Sequence, residues 1–383
     1  MNTSPQEIPA DELLPADIQT ANLLVARLHE LMGDNLDVAF YYGSRLKGTT
    51  RRHSDFDLSF IPREGAVPCT NLTVAVGGVL FDLYPIGWDG MERLATFDNP
   101  STSLLFCTEV VYARNEAVRA RFDTLRHRAE ELLSPAGHDQ MAHKALELFR
   151  KLGPDHYLLA AHVAPDDLFT AKHRAMRLVG GVAHCLAVLN QAIVDTRRPE
   201  NLLGLEKRPA DTETLLRILV DGTDIAAIRH AATRLMQATR ALILAELEDC
   251  VGGTLHLKHF FNYPEARNAL FAIEDACERG NRYLALCVLT AWQNEMAQVM
   301  KKLATGCDVP DDLLFPEIAA EYRAYGFPDL MPSVLAGDMA TLKEGIAQYD
   351  SLLRRFFTEQ DVPLCDFADN ADLSVWLAAL PPL

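Results

Sequence analysis

The sequence predicts an α+β protein in which a small N-terminal mixed sheet is followed by an all-helical C-terminal region. Short segments near the N-terminus alternate polar and apolar residues between glycines and prolines, which is typical of strands. From about Ala117 onward, apolar residues recur every three or four positions in one segment after another, as in amphipathic helices. A chain of 383 residues exceeds one small core, so the two patterns indicate separate domains.

The N-terminal elements are predicted in a fixed order along the chain. The stretch "IQTANLLVARLHELMG" has helical spacing and ends at Gly33, where a helix commonly stops. The stretch "LDVAFYYGS" predicts a strand running into a turn, and "HSDFDLSFIP" predicts a strand beside it. Two further strands are expected around Gly77-Gly78 in "NLTVAVGGVLFDLYPI", and another in "LFCTEVVYAR".

The remainder of the chain is predicted to be helical, with breaks at Pro-rich and Gly-rich segments. Stretches such as "QMAHKALELFRKL" and "RYLALCVLTAWQNEMAQVMKKLATG" keep the helical period over several turns. The breaks suggest four parts: a flexible lead over 1–16, a sheet domain over 17–135, a helical bundle over 136–255 and a second helical region over 256–383.

Charge and composition narrow the range of partners and compartments. The net charge of −17 disfavours binding to extended nucleic acid or to an anionic membrane surface. The eight cysteines are dispersed and form no C-x-x-C pair, so neither a zinc site nor a redox motif is indicated. No run of about 18 apolar residues predicts a membrane span, and the acidic N-terminus is unlike a signal peptide. We therefore expect a cytoplasmic protein.

Three aspartates and a Gly-Ser pair form the main candidate site. Asp55 and Asp57 are two residues apart in a predicted strand, so their side chains point to one face. Asp82 lies in another predicted strand between apolar residues, where a carboxylate is costly unless it is paired or binds a metal. A turn at Gly43-Ser44 would expose backbone N–H groups to phosphate oxygens. Carboxylates at this spacing suit Mg²⁺, which prefers oxygen ligands and phosphate.

A purely structural interpretation competes with each of these assignments. Asp55 and Asp57 can be a loop acid and an exposed strand acid, because D-x-D is common in any sequence; the Gly-Ser pair and the third aspartate favour a site. Lys47 lies close to the turn and is a candidate phosphate ligand, although a solvated basic turn has the same composition. Arg174, in "AKHRAMRLVGGVAH", can bind phosphate or belong to a solvated basic helix face.

The stretch "GSRLKGTTRRHSDFDL" resembles the signature of the polymerase-β-like nucleotidyltransferases, in which Gly-Ser, a spacer and Asp-x-Asp precede an apolar residue. The resemblance extends roughly from Leu23 to Leu133. It implies that 17–135 is the catalytic domain and that the bundle over 136–255 closes the active site.

The resemblance also implies roles for individual residues. By position, Gly43 and Ser44 would contact a nucleoside triphosphate. Asp55, Asp57 and Asp82 would be the catalytic acids that bind Mg²⁺ or Mn²⁺.

Two branches of this superfamily remain open. The "KGT" after Gly-Ser and the "FDLYP" around Asp82 are similar to oligoadenylate-synthase-like enzymes, CCA-adding enzymes and bacterial cyclic-oligonucleotide synthases. The short lead and the strand "EVVYAR" are closer to the minimal and antibiotic-modifying nucleotidyltransferases. The preferred implication is transfer of AMP from ATP to a hydroxyl of a small molecule. The alternatives are an antitoxin-like or signalling enzyme acting on a protein, tRNA or nucleotides, and a non-catalytic nucleotide-binding module.

Overall fold

The fold is described from a computed structural model, which covers residues 15–43, 54–66, 71–196, 198–248, 253–307, 309–310 and 312–378. The chain divides into two compact units, Met1–Asp249 and Cys250–Leu383. The first unit contains the sheet and a set of helices, and the second is helical. The predicted α+β class is therefore confirmed.

A five-stranded mixed sheet lies in the first unit. Its strands are β1 Leu36–Tyr42, β2 Phe56–Pro62, β3 Leu72–Val76, β4 Val79–Pro85 and β5 Thr108–Ala113. Each of the five strands expected from the sequence is present. Their order across the sheet is β3-β4-β2-β1-β5, and only the β2–β4 pair is parallel.

The hairpin between β3 and β4 has the connection that its sequence predicts. Gly77 and Gly78 form the two-residue turn, and both have positive φ, at 59° and 85°. This left-handed conformation is easily adopted by glycine, and two such residues match the turn to the twist of the strands. The register is thereby fixed by counting outward from the turn.

One face of the sheet is covered by the N-terminal helix α1, Pro15–Met32. Alternate residues of β2 and β4 point into this core, because side chains alternate across a strand, and β1 does so after an irregularity between Leu36 and Val38. The buried residues of the cluster are Ala21, Leu28, Met32, Leu36, Ala39, Tyr41, Phe56, Leu58, Phe60, Phe81 and Leu83.

The other helices of the first unit follow the strands in the chain. They are α2 Trp88–Ala95, α3 Ser103–Phe106, α4 Glu116–Leu133, α5 His138–Arg150, α6 Gly153–Ala161, α7 Leu168–Leu189, α8 Thr212–Asp221 and α9 Ile225–Glu248. Helix α4 packs on the sheet face opposite α1, where the rings of Phe122 and Phe40 lie 5.6 Å apart between centroids.

Helix α2 was not predicted from the sequence. Trp88, Met91 and Leu94 are buried at helical spacing, and the Trp88 indole donates to a carboxylate oxygen of the buried Asp37 at 2.9 Å. The segment was missed because it is short, and because Pro85 and Gly87 before it indicate a turn.

The second unit contains the helices α10 Tyr263–Glu278, α11 Arg282–Thr305, α12 Phe315–Ile318, α13 Ala320–Tyr325, α14 Met331–Ala336, α15 Met339–Glu359 and α16 Asn370–Ala378. Its core includes the fully buried aromatic residues Tyr263, Tyr349 and Phe357. Across both units, no helix in the described ranges has the length and apolar character needed to cross a membrane.

Candidate functional site

A single row of polar side chains crosses the whole sheet. Thr108 pairs with Tyr42, Tyr42 with Asp57, Asp57 with Asp82, and Asp82 with Thr73. Residues directly opposite each other on neighbouring strands lie on the same face. The row therefore places two carboxylates at its centre, on the face opposite α1.

Asp57 and Asp82 are direct register partners on the parallel strands β2 and β4. Neighbouring strands are about 4.8 Å apart, so two ionised carboxylates here repel each other unless a cation lies between them. Both side chains are half-buried, which weakens screening by water and increases the effect of the repulsion. The pair is therefore a candidate cation site.

The turn after β1 approaches this pair closely at Gly43. Gly43 has a φ of +98°, and a Cβ added there would lie 2.0 Å from the Asp57 Oδ2. Only glycine provides both the left-handed conformation and the space that the carboxylate occupies. The structure thus brings Gly43, the first residue of the predicted Gly-Ser turn, against the second aspartate of Asp-x-Asp.

Asp55 lies one residue before β2 begins, so it is outside the strand in which it was expected. Among the described residues, no group of three or more His, Cys, Asp or Glu side chains is arranged to hold a metal ion. Mg²⁺ nevertheless needs only one or two protein carboxylates, because it keeps several waters and takes further oxygens from phosphates. Asp57 and Asp82 fit that donor set, and a metal role for Asp55 stays a prediction.

Two tyrosines lie beside the carboxylates on the same face. Tyr42 ends β1 and Tyr84 lies two residues after Asp82, and their rings meet edge to face at 6.0 Å between centroids. Burial, the hydrogen bond with Tyr84 and the charges of Asp57 and Asp82 raise the pKa of Tyr42 far above its ordinary value. Burial and the same two carboxylates raise the pKa of Tyr84. Both phenols therefore stay protonated near neutral pH.

The next row on this face is buried rather than half-exposed. Phe40 and Ser59 are both fully buried, and the Ser59 hydroxyl donates to the Tyr84 carbonyl at 2.9 Å. Phe122 of α4 covers Phe40. The carboxylates consequently lie where this apolar packing ends, so the face is divided between a covered row and a polar row.

Three other predicted ligands are less closely tied to this site. Ser44 and Lys47 lie outside the described residues, so their predicted contacts with phosphate stay predictions. Arg174 lies on α7, and one of its guanidinium nitrogens donates to the Asp155 Oδ1 at 2.7 Å.

Arg177 joins the same ion pair, at 2.9 Å from Asp155. Burial alone would raise the pKa of Asp155, but the hydrogen bonds from Arg174 and Arg177 outweigh it and hold the pKa below its usual value. A structural role in the α6–α7 contact therefore accounts for what is seen of Arg174, and its predicted phosphate binding stays a prediction.

Sequence reasoning missed three residues of the site: Tyr42, Tyr84 and Thr73. The Thr73 hydroxyl donates to the Asp82 Oδ1 at 2.8 Å. Counting residues outward from the two-residue Gly77-Gly78 turn pairs Thr73 with Asp82, so this contact could have been predicted from the sequence. The two tyrosines carried no such signal, because aromatic residues in strands are common.

Comparisons with known proteins give little beyond this geometry. No protein-family profile matches the sequence, and no curated protein matches it. The chain is similar in structure to a nucleotidyltransferase-like protein from Exiguobacterium sibiricum 255-15, at 12% sequence identity and a TM-score of 0.34. The match covers 60% of this chain and 75% of that chain. A TM-score this low carries no argument about shared fold or function.

Proposed function

We propose that this protein is a metal-dependent nucleotidyltransferase, which moves a nucleoside monophosphate from a nucleoside triphosphate to an acceptor hydroxyl. The observation that carries the proposal is the position of Gly43 against a carboxylate pair: the Gly43 backbone lies against Asp57, and Asp57 is the register partner of Asp82. Phosphoryl chemistry requires this combination, because the negative substrate must be neutralised and oriented together.

Different residues would bind the metal and the triphosphate. Asp57 and Asp82 would hold Mg²⁺ or Mn²⁺, and Asp55 would add a further carboxylate from the segment just before β2. When bound, the metal supplies charge neutralisation on the phosphates and lowers the pKa of the attacking hydroxyl. Gly43, with Ser44 and Lys47, would hold the triphosphate in line with the acceptor. The acceptor oxygen then bonds to the α-phosphorus as the bond to pyrophosphate breaks.

The donor is ATP in the preferred case, and the acceptor is a small molecule with a hydroxyl group. A net charge of −17 concentrates cationic small molecules near the protein and repels nucleic acid. A protein, a tRNA or a second nucleotide is the alternative acceptor, and pure nucleotide binding without transfer is the remaining one.

A label-transfer assay tests the proposal. The protein is incubated with Mg²⁺ or Mn²⁺ and each α-labelled nucleoside triphosphate, and acceptors are supplied as cationic aminoglycosides, lincosamides, tRNA and lysate protein. We expect label on a small-molecule acceptor, with ATP as the best donor. Asp57→Asn should abolish the transfer. Asp34→Asn, a matched change at an exposed acid of the first unit, should leave it intact.

Each result separates the alternatives. Label on tRNA, protein or a nucleotide chain would keep the chemistry and overturn the small-molecule acceptor. Triphosphate binding that needs Asp57 but gives no transfer would support the binding module instead. Transfer that is equal in Asp57→Asn and the unmodified protein would contradict the assignment of the site.

A further inference from the structure

The hydroxyl of Thr73 makes a hydrogen bond to Asp82, one of the two paired carboxylates. Its Oγ1 donates to the Asp82 Oδ1 at 2.8 Å, and the two residues are register partners of the antiparallel β3–β4 pair. Strand β4 lies between β3 and β2 in the sheet, so Asp82 has Thr73 on one side and Asp57 on the other.

This arrangement has a consequence for the carboxylate. A hydrogen bond from the β3 side restrains the rotation of the Asp82 carboxyl group and occupies its Oδ1. Because β2 lies on the other side of β4 from β3, we assign the second oxygen, Oδ2, to the side of Asp57.

From this geometry we infer that Thr73 is a positioning residue for the metal site, which orients Asp82 so that its Oδ2 can share a divalent cation with Asp57. The inference rests on the proposed function. Partners that orient a metal ligand from behind typically change metal affinity or activity by about 10- to 100-fold when they are removed. The edge strand β3 is thereby part of the site although it carries no acid of its own.

A stabilising role for the same bond is a weaker explanation. Thr73 is exposed, and a solvent-exposed hydrogen bond contributes little to the free energy of unfolding. Valine at this position keeps the shape of threonine and favours a strand, so Thr73→Val removes the hydroxyl without weakening β3. Positioning and folding can therefore be measured apart.

The experiment measures Mn²⁺ binding by electron paramagnetic resonance, in the presence of the non-hydrolysable α,β-methylene analogue of ATP. We expect Thr73→Val to raise the Mn²⁺ dissociation constant about tenfold. Thr73→Ser keeps the donor and should stay within about twofold of the unmodified protein. Thr124→Val removes a hydroxyl that donates only to the Ala120 carbonyl within α4 and should change nothing. In transfer assays, Thr73→Val should also raise the Mg²⁺ concentration at half-maximal rate.

The outcomes distinguish this inference from the function on which it rests. If Asp57→Asn weakens Mn²⁺ binding but Thr73→Val does not, the positioning role is wrong and the metal site stands. If Thr73→Ser binds Mn²⁺ as weakly as Thr73→Val does, loss of the hydroxyl does not explain the weaker binding, and the inference fails. If Mn²⁺ binding is the same in the unmodified protein and Asp57→Asn, the proposed metal site itself is overturned. Thermal unfolding in the absence of metal should be equal for Thr73→Val and Thr73→Ser.

Discussion

The two faces of the sheet are built from alternate residues of the same strands, and they differ most at the row that holds the two carboxylates. On the α1 face, Phe56, Leu58 and Leu83 are buried in a continuous apolar core. On the opposite face, Asp57 and Asp82 lie half-buried between those same residues. Neighbouring residues of one strand therefore belong alternately to the core and to the site.

The contrast shows how the site is held rigid. The strands that carry the carboxylates are held in place by burial on the apolar face, and this burial opposes the repulsion between the acids. Each buried side chain of this size contributes about 2 kcal/mol relative to an exposed one. Preorganisation of this kind is what a phosphoryl-transfer site needs, because the charged groups must be in place before substrate binds.

The largest expected effects on activity and stability come from two separate substitutions, one on each face of β4. Asp82→Asn should lower the transfer rate by at least about a hundredfold, since it removes a charge that the metal site requires. Its free energy of unfolding should be unchanged or higher, because the repulsion with Asp57 is lost. Leu83→Ala should instead lower the free energy of unfolding by about 3 kcal/mol, through lost burial and a cavity.

Steady-state transfer rates and chemical denaturation measure the two quantities side by side. The rate of Leu83→Ala per folded molecule should remain close to that of the unmodified protein. Equal loss of activity in both variants would contradict the division of the faces. Full activity in Asp82→Asn would move the role of the third acid to another residue.

A smaller effect is expected at the turn that meets the polar face. Gly43→Ala places a methyl group 2.0 Å from the Asp57 Oδ2 and also strains the backbone at φ +98°. Gly78→Ala is the matched control, because its φ is +85° but no atom lies within 4 Å of the added carbon. Both variants should lose about 1 to 2 kcal/mol of folding stability from backbone strain.

Only Gly43→Ala should also lose transfer activity, by about tenfold or more, because the carboxylate must move. Paired denaturation and transfer measurements test this difference. A similar transfer activity in the two alanine variants would show that the contact between Gly43 and Asp57 does not contribute to transfer.

The smallest expected effect concerns pH at Tyr42. Burial first, and then the hydrogen bond to Tyr84 and the nearby acids, raise its pKa in the folded state. The unfolded chain releases the phenol proton near pH 10, whereas the folded protein keeps it to higher pH. Stability from this group is therefore complete below about pH 10 and is lost as the pH rises further.

Tyr42→Phe should reduce that alkaline loss by about 1 kcal/mol at about pH 11, as measured by urea unfolding at pH 8 and at the higher pH. Tyr157→Phe, at a tyrosine that is 60% exposed, is the control and should leave the alkaline loss unchanged. The same pH dependence in both variants would show that the Tyr42 environment differs little from solvent.

Much of the fold was predictable because its signals are local. The alternation in "FDLSFIP" and the period of the long helices each depend on a few neighbouring residues, and the strands, α5 and α11 appeared where expected. Helix α2 was not predicted, because it is short and Pro85 and Gly87 before it indicate a turn. The Thr73–Asp82 pair was in principle predictable, since a two-residue turn fixes its register.

The sequence by itself determined which residues are acids, and that Asp57 and Asp82 lie in strands. It determined the β3–β4 hairpin as well, because Gly77 and Gly78 act on adjacent residues. Only the tertiary structure decided that β2 and β4 lie side by side and parallel, with Asp57 opposite Asp82. No local preference encodes that pairing: it is set by the burial of Phe56, Leu58, Phe81 and Leu83 on the far face, which fixes the register of both strands at once.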